Sequence, residues 1–124
     1  MGVDCTVRFH AGSVPAWDSV KGQLARVGEP APLRMIDGLP AFPDETPDEG
    51  WRELRIGFAA GMVTIRKGTE TLTCVVWGNA DNALFAARDR LVWACATAGS
   101  GMVATPSGEI PAPEFARLAG ISPA

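Results

Sequence analysis

The sequence predicts an α+β fold, a two-layer sandwich in which a mainly antiparallel sheet carries its two main helices on one face. Three observations predict it. Short stretches around residues 3–9, 54–58, 63–65 and 72–76 alternate apolar and polar residues with period two. Two longer stretches, 14–27 and 80–98, repeat their apolar residues every three or four positions. The resulting order, β-α-loop-β-β-β-α-β-α, buries all of these stripes most simply when the helices gather on one side of an antiparallel sheet.

Val3, Cys5, Val7 and Phe9 alternate with Asp4, Thr6, Arg8 and His10, so an amino-terminal strand turns its first set to the core. Ser13 offers an N-cap and Pro15 suits a first turn. Val14, Trp17, Val20, Leu24 and Val27 then line one helical face until Gly28 stops the helix.

Residues 28–50 hold five prolines and six acids, which excludes a regular helix or a central strand over most of their length. This is read as a long loop in which LRMI forms a short edge strand and Phe42 anchors in the core.

From Trp51 the pattern is an antiparallel meander. Leu54, Ile56 and Phe58 face the core, a turn with Gly61 follows, Val63 and Ile65 face the core, KGTE turns the chain, and Leu72, Cys74 and Val76 complete the third strand. Asn79 or Asp81 caps a helix running to about Ala98, and Gly99-Ser100-Gly101 ends it with residues that tolerate positive φ. A strand MVAT, a Pro-Ser-Gly turn and a terminal helix PEFARLAG follow.

At 124 residues, with 47% hydrophobic and 20% charged residues, the chain fits a single domain over 1–124. No apolar run reaches the ~18 residues of a membrane span. The opening MGVDCTVRF has neither the basic start nor the apolar stretch of a secretory signal, so a cytoplasmic location is expected. Asp37, Asp44, Glu45, Asp48 and Glu49 concentrate the acid, and setting them aside turns the net charge from −3 to about +2. That is no electrostatic footprint for duplex nucleic acid.

The motif search is mostly exclusionary. WGNAD at 77–81 can present backbone N–H groups, as any helix start can, but neither GxxxxGK[ST] nor GxGxxG occurs, and the junction reads as a joint in the fold. Cys5, Cys74 and Cys95 lie on core-facing stripes and His10 has the opposite parity from Cys5. No CxxC or HxxxH spacing supports a metal, so no metal and no cofactor is expected. A Cys74–Cys95 disulfide is conceivable between sheet and helix, but a cytoplasmic location disfavours it. His10 is the only imidazole, and its neighbourhood holds no nucleophile elbow; a partly exposed turn residue is the expectation. PDETPDEG lacks the DxDxDG order of a calcium loop and reads as solvated, with a basic partner as the alternative.

Two residues of the second helix break its pattern. Arg88 falls within the apolar arc, where its stem can run over apolar neighbours to a carboxylate at the sheet edge, or its head can bind an anion. Trp93 falls among Asn82, Asp89 and Arg90, so it needs cover from the proline-rich loop or terminal helix, or an interface with another chain.

By strand parity, Trp51, Glu53 and Arg55; Met62, Thr64 and Arg66; Thr71, Thr73, Val75 and Trp77; and Asp4, Thr6 and Arg8 point away from the helices. Two tryptophans, three arginines and several threonines on one sheet face favour packing against another protein or a second copy of the chain. Binding of single-stranded nucleic acid is disfavoured, because paired central aromatics are lacking and acids intervene. The expectation is a non-catalytic interaction protein using this face and the acidic loop, with Trp51, Arg55, Arg66, Trp77, Arg88 and Trp93 as its candidate residues. Truncating Trp51 or Trp77 is expected to weaken association while leaving the fold largely intact. A small-molecule or anion-binding domain built on the arginines and Trp77 is the second reading, and a hydrolase built on His10 the third.

Overall fold

The computed structural model describes residues 4–77 and 80–123. Its eight strands are β1 (Asp4–Arg8), β2 (Leu33–Ile36), β3 (Leu39–Pro40), β4 (Glu53–Phe58), β5 (Gly61–Gly68), β6 (Thr71–Val75), β7 (Met102–Thr105) and β8 (Gly108–Pro111). They form one antiparallel sheet in the order β3-β2-β4-β5-β6-β1-β7-β8. The helices are α1 (Trp17–Arg26), α2 (Asn82–Gly99) and α3 (Ala112–Ala119). The α+β class and its antiparallel sheet stand as the alternation predicted.

Alternate residues of the strands make the core. The cross-strand row Ile36, Leu54, Ile65, Cys74 and Cys5 is the helix side at mid-sheet, and most of its members are buried. The central helix α2 lies over β5, β6, β1 and β7, while α1 and α3 pack on its flanks. Covered on three sides, α2 buries Ala87, Leu91, Val92, Trp93, Ala94, Cys95 and Ala96.

Helix ends follow local chemistry, with corrections. The Asp81 carboxylate accepts the Leu84 N–H at 2.9 Å and caps α2; Asn79, the other candidate, lies outside the described residues. Ser13 does not cap α1, which begins only at Trp17 with Ala16 in the extended N-cap position. The Ser13 N–H instead bonds the His10 carbonyl and closes a turn before the helix. Gly28, at φ 69°, ends α1 as expected, with the Glu29 N–H reaching back to the Leu24 carbonyl.

At the end of α2 the left-handed residue is Ser100, φ 53°, and not either flanking glycine. Those glycines serve close packing: a Cβ at Gly99 would meet the Phe9 ring at 2.6 Å and the Ser13 carbonyl at 2.7 Å. One at Gly101 would meet the same ring at 2.7 Å and the Arg8 carbonyl at 2.8 Å.

The long 28–50 segment is more ordered than its prolines suggest. LRMI is a strand, but β3 pairs outside it, so it is not the edge. Asp37 and Gly38 both have positive φ and join β2 to β3 in a two-residue hairpin turn. Phe42, expected as a core anchor, is 76% exposed; Ala41 packs against the core instead. β8 was not anticipated, since GEIP shows almost no alternation, yet it pairs along all of β7.

Candidate functional site

The helices leave the second face of the sheet open, and at its middle the strands set out two rows. One runs Met35, Arg55, Thr64, Val75, Asp4; the next runs Glu53, Arg66, Thr73, Thr6. Thr6 and Thr73 share a hydroxyl hydrogen bond at 2.9 Å, and Arg66 meets Glu53 at 3.2 Å. A half-buried threonine pair and an exposed ion pair of this kind each add only modestly to stability.

Trp77 follows β6 and folds back over these rows. Its indole Nε1 donates to the Thr64 hydroxyl at 3.3 Å, and the Arg66 guanidinium carbon stands 5.0 Å from its ring centroid. Thr64 is 1% exposed and its cross-strand neighbour Val75 is buried as well, while Trp77 itself remains 54% exposed. Arg55 is the cross-strand neighbour of Thr64, and its Nε is enclosed without a hydrogen-bond partner among the described residues. On the far side of Arg55, Arg34 lies over Gly57, where an added Cβ would stand 2.5 Å from its Nε. A planar aromatic and guanidinium surface therefore spans β2, β4, β5 and the end of β6, with Met62 exposed beside it.

Trp51 does not belong to this surface. It is 3% exposed and part of the core, because it precedes β4, where strand alternation no longer sets the side of the chain. Lys67, on the helix-side parity of β5, holds its Nζ 4.2 Å from the Trp51 ring centroid and donates to the Glu49 carbonyl. Partial burial lowers the Lys67 pKa from its usual range.

Trp93 is likewise 3% exposed. Its polar-looking helix face is covered by α1, whose Arg26 guanidinium lies 5.6 Å from the indole centroid, and by α3, with which it shares a cleft. The adjacent Arg90 meets Glu29 at 2.6 Å and ties α2 to the end of α1. Arg88 runs over Phe85, 5.1 Å from its ring, and meets Asp89 at 2.8 Å with little of its side chain exposed. The carboxylate it meets among the described residues comes from the next residue of its own helix. Of the six sequence candidates, the structure brings Arg55, Arg66 and Trp77 together on the open face. It separates Trp51, Arg88 and Trp93, which lie on the helix side.

The remaining chemistry-bearing residues stand apart. His10 is exposed in its turn, and its ring makes no hydrogen bond or ion pair among the described residues. The three cysteines are free thiols, half-buried at Cys5 and buried at Cys74 and Cys95. Burial pushes the Cys5 thiol up to about 11, and a hydrogen bond with Cys95 together with burial holds Cys74 well above its ordinary value. Protonated thiols of this kind are poor nucleophiles and poor metal ligands. No cluster of three or more metal-ligating side chains occurs among the described residues, and no described helix is long and apolar enough to cross a membrane.

Sequence reasoning missed the Asp37 site. The Asp37 carboxylate accepts the backbone N–H groups of Arg52 and Glu53 at 2.7 and 2.9 Å, bonds that pull its pKa below the ordinary value of 3.8. The signal was present in Ile36-Asp37-Gly38-Leu39, an Asp-Gly pair between apolar residues.

No family model matches the chain, and neither a curated protein nor a solved structure shows significant similarity to it.

Proposed function

We propose that this chain is a non-catalytic interaction protein that docks an acidic surface of another protein on the open face of its sheet, with Trp77 as the anchor. The observation that carries the reading is the position of Trp77. It is more than half exposed, yet its indole is oriented from one side by Thr64 and from the other by Arg66. A large aromatic held in one orientation loses little conformational freedom on binding, and tryptophan and arginine are the residue types most enriched among binding hot spots. Arg55 and Arg66 beside it supply guanidinium groups that favour carboxylates on the partner.

The small-anion reading of the same face has less support. An open depression of about 560 Å³ is lined by Arg52, Arg66 and Lys67 together with Asp37 and Glu53; Arg66 is already paired with Glu53 and Lys67 with the Glu49 carbonyl. Hydrolysis through His10 has no neighbouring group in its favour.

The test is affinity capture from native cell extract with tagged wild-type protein and with a Trp77→Ala variant whose circular dichroism matches wild type. A stoichiometric partner retained by wild type and lost from the variant is expected, and an Arg66→Glu change should abolish it as well. Equal recovery of the same proteins by all three forms would remove the open face from consideration.

A further inference from the structure

At the β2 side of the open face a register shift brings two arginines together. Leu33 stands opposite Ile56 and Met35 opposite Arg55, so Arg34 is an extra residue in β2, a bulge. The bulge turns Arg34 as well as Met35 to the open side, and the Arg34 side chain lies across Gly57, where a Cβ would stand 2.5 Å from its Nε and 3.1 Å from its Cγ. Gly57 and Arg55 are successive same-face residues of β4, about 7 Å apart. The glycine thus gives Arg34 a bed on the sheet beside Arg55.

Both side chains keep their donors unspent. Among the described residues neither makes a hydrogen bond, an ion pair or a ring contact. Arg34 is exposed; Arg55 is half-buried, and of its guanidinium nitrogens only Nε is enclosed, so the two Nη groups reach solvent. Glu53, the one acid of β4, lies on the same face but is held by Arg66. Arg8, Arg66, Arg88 and Arg90 each have a carboxylate within 3.2 Å; the neighbouring Arg34 and Arg55 have none among the described residues.

We propose that Arg34 and Arg55 form a binding site for a phosphoryl group, carried as a phosphorylated side chain by the protein that docks on this face. The inference rests on the docking role of the open face and names the acidic group accepted there. Glu53 on Arg66 is the one-to-one match of a carboxylate to a guanidinium. Two guanidinium groups side by side carry two positive charges, which a phosphate monoester balances with nearly two negative charges and three acceptor oxygens. Thr64, the β5 neighbour of Arg55, holds the Trp77 indole. A peptide crossing the strands can therefore set an apolar residue on Trp77 and its phosphoryl group on the arginine pair.

NMR titration of the intact chain with N-acetyl-O-phosphoserine amide, read on the arginine Nε–Hε signals, tests the site, with N-acetylglutamic acid α-amide as the carboxylate control. The Arg34 and Arg55 signals should shift to saturation with a Kd of about 1 mM, about tenfold or more tighter than the glutamate derivative. Arg117, which also has no ion pair among the described residues, reports unspecific attraction and should barely move. Arg34→Gln alters an exposed side chain and should weaken phosphoserine binding about tenfold. The proposal is overturned by a Kd above about 10 mM, by equal binding of the two derivatives, by an Arg117 shift as large as that of Arg34, or by an Arg34→Gln variant that binds like wild type. Capture from phosphatase-treated extract separates the phosphoryl site from docking itself. The partner retained from untreated extract should be lost after treatment; its retention overturns the phosphoryl site and leaves the docking face standing, and no partner from either extract overturns both.

Discussion

The helix-covered and open faces of the sheet are built by alternate residues of the same strands and are held in different ways. On the covered side, Leu54 and Ile65 are shut from solvent, and their contribution comes from apolar area and close packing. On the open side, Glu53, Arg66, Thr73 and Thr6 are held by a salt bridge and a hydroxyl pair, each worth little in water. Residues that fix the fold and residues free to bind are therefore one position apart along a strand. The same separation applies to the tryptophans: Trp17, Trp51 and Trp93 are structural, and Trp77 stands out from the surface.

The contrast is tested most strongly at Trp51. Trp51→Ala removes a buried core residue and should lower stability by about 3–5 kcal/mol in urea unfolding. A loss below 1 kcal/mol would return Trp51 to the surface. Gly101→Ala drives a methyl toward the Phe9 ring and the Arg8 carbonyl, and a loss of about 1–3 kcal/mol is expected. If the variant is as stable as wild type, the approach of α2 to the end of β1 is looser than described. Asp81→Ala deletes the cap of α2 and should cost about 1 kcal/mol, with Asp81→Asn recovering most of it.

Trp77→Ala belongs near the other end of the scale, with a change below about 1 kcal/mol. A loss like that of Trp51 would make Trp77 a structural residue and undercut its role as an anchor. The smallest effect is expected at Asp37, which is exposed and screened. Its folded-state pKa is depressed, so it contributes stability above its unfolded value, and that contribution is lost as pH falls through the lowered folded value. Urea midpoints measured from pH 6 to pH 3 should fall less steeply for Asp37→Asn than for wild type; parallel curves would show that the carboxylate has no part in the acid limb.

The strands and helices that were legible in the sequence are those with one wet face. In β4, β5 and β6, alternation gave both the strand and its orientation and placed Arg55 and Arg66 on one face; Trp77 lies two residues beyond β6 and joins them by folding back onto Thr64. Trp93 finds the cover its position called for in the terminal helix α3, with Arg26 of α1 adding to it; α2 is not amphipathic in the ordinary sense, and no single-helix pattern reports which neighbour covers its polar-looking face. Trp51 was misread because parity was carried two residues past the start of β4. The cleft between α2 and α3 left no local trace, since Arg26 and Arg117 in its lining are more than ninety residues apart and come to it only when α1 and α3 have both docked on α2.

The place of β1 has a consequence for how the chain reaches this structure. Asp4–Arg8 pairs on one side with β6 and on the other with β7, and within the sheet it joins the five strands ending at β6 to the β7–β8 ribbon. During translation β1 thus waits for partners at residues 71–75 and 102–103, which are made long after it. Loop closure of this length is slow, and until it is complete two sheet edges stay open to other chains. Val7 and Phe9, buried in the finished core, stay uncovered until those partners arrive.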